Sequence, residues 1–106
     1  MKTPESYEKD DICKYLVSQA AWYFRPYQAG YGKSGVPDIV ACIRGRFVSI
    51  EVKREGKEPT VLQKQRMFEI RDADGTALAG TAAVVIEALK KALRDLEQAD
   101  LLGGIN

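Results

Sequence analysis

Asp38 closes the run Gly35-Val36-Pro37-Asp38 at the mouth of an apolar strand, and Glu51 and Lys53 stand two residues apart on the next apolar stretch. Two acids able to share a divalent cation, with an ammonium beside them, are the parts of a phosphodiester-cleaving centre. Carboxylate oxygens are hard ligands that select Mg2+ or Mn2+, ions that bridge a phosphate and lower the pKa of bound water. The ammonium would stabilise the negative charge that develops as hydroxide attacks. The 13 residues separating the two acids suit neighbouring antiparallel strands joined by a hairpin. Metal-dependent nuclease chemistry is the expectation.

Composition narrows the alternatives. The chain has no histidine, which removes the usual zinc sites, Ser-His-Asp hydrolysis and any nuclease mechanism with an imidazole base. Cys13 and Cys42 form no CxxC pair and are expected to be buried, reduced thiols. No apolar run reaches membrane-spanning length and the N-terminus does not read as a signal peptide, so a cytoplasmic location is expected. At 106 residues the chain is read as one stand-alone domain, residues 1–106. Its net charge of +1 conceals an asymmetry: residues 25–66 hold nine basic side chains against four acidic ones. A basic centre that coincides with the candidate acids suits a polyanionic substrate.

The elements that must position these residues are legible from caps and periodicity. Thr3-Pro4 reads as an N-cap and first helical position, opening a helix to about Gln19 with an apolar stripe of Ile12, Tyr15, Leu16 and Ala20. Glu5, seven residues before Ile12, projects from nearly the same face. It is either an acid favoured by the helix dipole or a carboxylate aimed at the sheet. Ala21–Phe24 is a short aromatic strand, and residues 27–36 form a glycine-rich loop that lacks the Walker A pattern. Tyr31, Lys33 and Ser34 in this loop could meet a phosphate backbone or an unpaired base, or simply belong to a connecting turn.

Asp38–Ile43 and Arg46–Lys53 are strands about an Arg44-Gly45 turn. Alternation puts Val48, Ile50 and Val52 on one face and Phe47, Ser49, Glu51 and Lys53 on the other. Thr60 opens a helix to about Ala73, where Gln63 fits a capping box but also shares a face with Met67 and Ile70 and could approach Glu51. A strand over 76–80 precedes a last helix to about Gln98. Its buried stripe is Val85, Leu89, Ala92, Leu93 and Leu96, with a Glu87–Lys91 pair on its solvent face.

The order α-β-β-β-α-β-α with PD…ExK on the second and third strands resembles the PD-(D/E)xK nuclease superfamily. The finer pattern is similar to its virus-type replication-repair branch, the VRR-NUC domain. The matching stretches are Thr3-Pro4-Glu5, the SGVPD run ending at Asp38, Arg46-Phe47 leading to Glu51-Val52-Lys53, and Pro59-Thr60-Val61-Leu62-Gln63. The resemblance implies an α+β, restriction-endonuclease-like sandwich around a central mixed sheet. It makes Asp38 and Glu51 ligands of Mg2+ or Mn2+, with the Val52 carbonyl and Glu5 completing the shell. It gives Lys53 the attacking water to orient, and places Gln63 close to the catalytic centre. Where an apolar residue is expected three positions after Glu5, this chain has Glu8, so Glu5 is the expected ligand and Glu8 the reserve. The implied activity is structure-selective cleavage of branched DNA, including four-way (Holliday) junctions, leaving 5′-phosphate and 3′-hydroxyl ends. Tyr31, Lys33, Ser34 and Arg54 are the expected DNA contacts. The alternatives are a restriction-type or nicking endonuclease and a non-catalytic nucleic-acid-binding module. A homodimer is expected because a four-way junction requires two paired nicks. Trp22-Tyr23-Phe24 and the tail from Leu101 to Ile105 offer apolar surface for it.

Overall fold

The computed structural model of the chain describes residues 2–27 and 35–103. Helix α1 spans Pro4–Ser18, and the Thr3 hydroxyl caps it by accepting from the Ser6 N–H at 3.1 Å. Strand β1 is Trp22–Phe24, β2 is Ile39–Ile43 and β3 is Arg46–Val52. Helix α2 spans Val61–Asp72, strand β4 Thr76–Gly80 and helix α3 Ala82–Gly103. The sheet order is β1-β2-β3-β4. The first three strands are antiparallel, and β4 lies parallel to β3 because α2 serves as the crossover between them. The result is an α+β fold about a mixed four-stranded sheet. The β2–β3 hairpin turns on Arg44 and Gly45, both at positive φ, the backbone that a two-residue turn of matching twist demands.

One face of the sheet makes the core. Ile39, Ala41, Ile43, Val48, Ile50 and Val52 point to it and meet Ile12, Cys13 and Leu16 of α1 and Ala82, Val85, Leu89 and Leu93 of α3. Full burial of each large aliphatic side chain contributes about 1.5–3 kcal/mol. On the opposite face α2 covers the β3–β4 half. Ala77, in register with Ser49, is buried there, and the Arg71 guanidinium donates to the Ala77 carbonyl at 2.7 Å. The β1–β2 half of that face is left open, so Trp22 and Phe24 stand 67 % and 46 % exposed with ring centroids 5.6 Å apart.

Several sequence expectations require correction. Ala20 lies past the end of α1 at positive φ and is exposed, so it is no part of the buried stripe. Cys42 is exposed on the open face, while Cys13 alone is buried. Helix α3 runs to Gly103, since nothing after Gln98 breaks a helix until the glycine pair. Its solvent-face pairs are Glu87 with Lys90 and Lys91 with Asp95, rather than Glu87 with Lys91. Beta-strand alternation holds on β3, but from Val48 onward both of its faces are covered: Ser49 and Glu51 are as enclosed as their apolar neighbours, while Phe47 on the same outer face stays exposed.

Candidate active site

The hairpin delivers the two acids to one place. Ile39 pairs with Ile50, so Asp38, one step before β2, falls opposite Glu51 on the face away from the core. Asp38 is anchored by its own chain fold: Oδ2 accepts from the Val52 N–H at 2.8 Å. Val52 is therefore at the centre through its backbone as well as its position at the end of β3. Gly35 makes the approach of this loop possible. It has φ +76°, and a Cβ there would lie 2.9 Å from the Leu62 Cγ, so only glycine lets the segment before Asp38 pack against the start of α2.

Gln63 plays both of the roles its sequence position allowed. Its Oε1 accepts from the Thr60 N–H at 2.8 Å to close the capping box, and its Nε2 donates to Glu51 Oε1 at 2.9 Å. An amide has an acceptor end and a donor end, which is why one side chain can cap α2 and grip the acid. Glu51 is only 5 % exposed. Burial, followed by a hydrogen bond to Asp38 and the negative charge of that carboxylate, pushes its pKa up to about 8, against the opposing pull of Lys53 and Lys9. Lys53 is half-buried at the end of β3, and its N–H donates to the Gly80 carbonyl at 2.9 Å. That bond fixes the backbone from which the ammonium extends.

The remaining expected residues separate. Glu5 sits half-buried in the first turn of α1, joined to Asp38 and Glu51 by no hydrogen bond among the described residues. No three Asp, Glu or Cys side chains form a metal-holding group among the described residues, so Asp38 and Glu51 stand as a pair. Glu8 is committed elsewhere: its Oε2 accepts from the Ala82 N–H, where the start of α3 leaves donors unsatisfied. Arg54 is exposed just beyond Lys53. Tyr31, Lys33 and Ser34 lie outside the described residues.

Lys9 was missed from the sequence. Its Nζ lies 3.5 Å from Asp38 Oδ1. The signal was present, since Glu5, Lys9 and Ile12 share one helical stripe, but an isolated helix lysine reads as a solvated surface group. The position of α1 is set by neighbours of Lys9. Glu8 ties it to α3, and Asp10 binds Lys2 and, at 2.8 Å, Arg25 just after β1. These two cations hold the Asp10 carboxyl at about 2, well below the usual range.

Two clefts lie away from the acid pair, one of about 580 Å³ between the Arg44-Gly45 turn and the α2–β4 connection, the other beside α1 and Arg25.

No protein-family model and no curated protein matches the chain in sequence. A solved structure described as a VRR_NUC domain superposes with a TM-score of 0.73 over 85 % of this chain and 97 % of that one, at 18 % sequence identity. The mixed four-stranded sheet with its three helices is thus a known architecture: the fold of this chain is that of a VRR_NUC domain.

Proposed function

We propose that this chain is a divalent-metal-dependent endodeoxyribonuclease centred on Asp38, Glu51 and Lys53. The observation that carries the reading is the carboxyl pair, Glu51 buried and Asp38 half-buried beside it. Two facing acids, one enclosed by α2 and holding its proton up to about pH 8, are unfavourable in isolation and become favourable when a cation neutralises them. The donors would all be oxygen: Asp38 and Glu51, which the fold pairs, the Val52 carbonyl, and Glu5, which would have to reach the ion from the first turn of α1. That set fits Mg2+ or Mn2+. Such an ion, when bound, would polarise the phosphate and activate water.

The side chains divide the remaining work. The Val52 N–H and the Gln63 amide hold the two carboxyls in fixed orientation, so little reorganisation accompanies the reaction. Lys53 places an ammonium where charge develops on the phosphate oxygens. Arg54, with Tyr31, Lys33 and Ser34, would bind the backbone that flanks the cut. The basic excess over residues 25–66 draws in the polyanion. A pure nucleic-acid binder would gain nothing from two acids at the place where phosphate must lie.

For substrate we infer branched DNA, four-way junctions among the candidates, acted on by a homodimer. The likeness to a VRR_NUC domain supports the first part, and the exposed Trp22, Phe24 and Leu101 support the second. Incubation with Mg2+ and a panel of linear, flapped and four-way DNAs should give cleavage concentrated on branched forms. Ca2+, which tolerates irregular shells, should support binding without cleavage. Full activity in excess EDTA would exclude the mechanism. Light scattering that returns a monomeric mass, with uncoupled single nicks, would exclude the dimeric resolvase.

A further inference from the structure

Lys9 reaches the acid pair from α1, and the chemistry above makes no use of it. Oδ2 of Asp38 is occupied by the Val52 N–H at 2.8 Å, so the ammonium, 3.5 Å from Oδ1, covers the oxygen the backbone leaves open. The two side chains are 29 % and 16 % exposed, which makes this a partly sheltered contact and not a surface ion pair. Nor is Lys9 on a loose segment. Glu8 before it is bound to the first N–H of α3, and Asp10 after it is clamped by Lys2 and Arg25. Three consecutive residues of α1 are thus committed to three different neighbours.

A divalent cation at Oδ1 would repel an ammonium 3.5 Å from the same oxygen. We propose that Lys9 is a tethered counter-ion: it holds Asp38 in the metal-free protein, yields that oxygen to the entering cation, and then binds the phosphate of the DNA. The proposal rests on the nuclease reading of the same centre. Lysine suits the role because its ammonium is a compact charge on a flexible four-carbon stem, able to change partners without movement of the helix. The two lysines would then flank the phosphate, Lys9 from the helix and Lys53 from the sheet.

Calorimetric titration of Mn2+ into the DNA-free protein tests the first half. Lys9→Met should bind Mn2+ about tenfold more tightly than the wild type, because a neighbouring positive charge is gone. Lys9→Gln gives the same comparison should the methionine variant fail to fold, and Lys9→Arg should stay near the wild type. Binding of a four-way DNA in Ca2+ tests the second half: Lys9→Met should bind several-fold more weakly, with the salt dependence reduced by about one phosphate contact. Manganese affinity in Lys9→Met and Lys9→Gln equal to or below that of the wild type overturns the proposal. If the wild type cleaves with metal and only these affinities disagree, the nuclease reading survives without it. If the wild type binds no divalent cation, both fall together.

Discussion

The two faces of the β2–β3 hairpin are built from alternate residues of the same strands and do opposite things. The inner face, Ile39, Ala41, Ile43, Val48, Ile50 and Val52, is almost completely buried against α1 and α3. The outer face carries Asp38, Val40, Cys42, Phe47, Ser49 and Glu51, and α2 covers only its β3 side. Apolar packing is concentrated on one side of the pleat and the acid pair on the other. Glu51 shows what the partial cover accomplishes: it lies on the polar face, yet it is as desolvated as a core residue. A carboxyl in that setting is a poor contributor to folding and a strong candidate ligand for a cation.

The sharpest way to break this contrast is to substitute one face at a time. Asp38→Ala and Lys53→Ala should reduce cleavage by at least about 10²–10⁴-fold, with melting temperatures close to the wild type. Lys53→Ala should still bind metal, whereas Asp38→Ala should bind it poorly. Near-normal turnover in either variant would overturn the assignment of the outer face.

Helix α1 offers a second comparison, between Glu5 and Glu8. Glu5→Gln should lower cleavage by orders of magnitude if Glu5 completes the cation's shell. Glu8→Ala should act on stability instead, costing about 1 kcal/mol by removing the acceptor at the start of α3, with turnover of the remaining folded enzyme little changed. The reverse pattern, measured by cleavage and thermal melting on the same samples, would move the ligand one turn along the helix.

On the inner face, Ile50→Ala should cost about 2–5 kcal/mol, since a fully enclosed side chain leaves a cavity that α1 and α3 cannot fill. Urea unfolding reads this directly. The fraction that remains folded should cleave at a nearly normal rate.

How much of this was legible in the sequence follows from the range of each interaction. The hairpin, the caps at Thr3 and Thr60 and the acids at 38 and 51 depend on residues close together in the chain, so type and spacing were enough. The SGVPD and PTxLQ stretches even placed Gln63, although its double engagement shows only once Glu51 is above it. Lys9 meets Asp38 and Glu8 meets Ala82 across long separations, where neither periodicity nor capping rules apply. The exposure of Cys42 was hidden for the same reason, because it depends on α2 covering β3 and β4 and leaving β1 and β2 bare.

The pH dependence of stability isolates the cost of desolvating Glu51. In the metal-free protein the folded state holds the Glu51 proton up to about pH 8, while the unfolded chain releases it near 4.5. Between those values the native state binds more protons than the unfolded one, so stability should fall as pH rises and level off above about 8. The contribution is fully present below pH 4.5, the opposite sense to a salt-bridged acid. A loss on the order of 3 kcal/mol between pH 5.5 and 8.5 is expected, read as a drop in melting temperature in EDTA. Glu51→Gln keeps the shape and the hydrogen-bonding capacity without the charge. It should therefore remove most of that slope and raise the melting temperature at pH 8.5, while it abolishes cleavage. Saturating Mg2+ should flatten the wild-type slope as well, because the cation supplies the neutralisation that the proton supplies in its absence. Binding of Mg2+ at pH 7 should release about one proton and at pH 9.5 almost none, as buffers of different ionisation heat would show by calorimetry. A wild-type slope that Glu51→Gln leaves intact would place the responsible group elsewhere and remove the distinction between the two faces on which the acid pair's role depends.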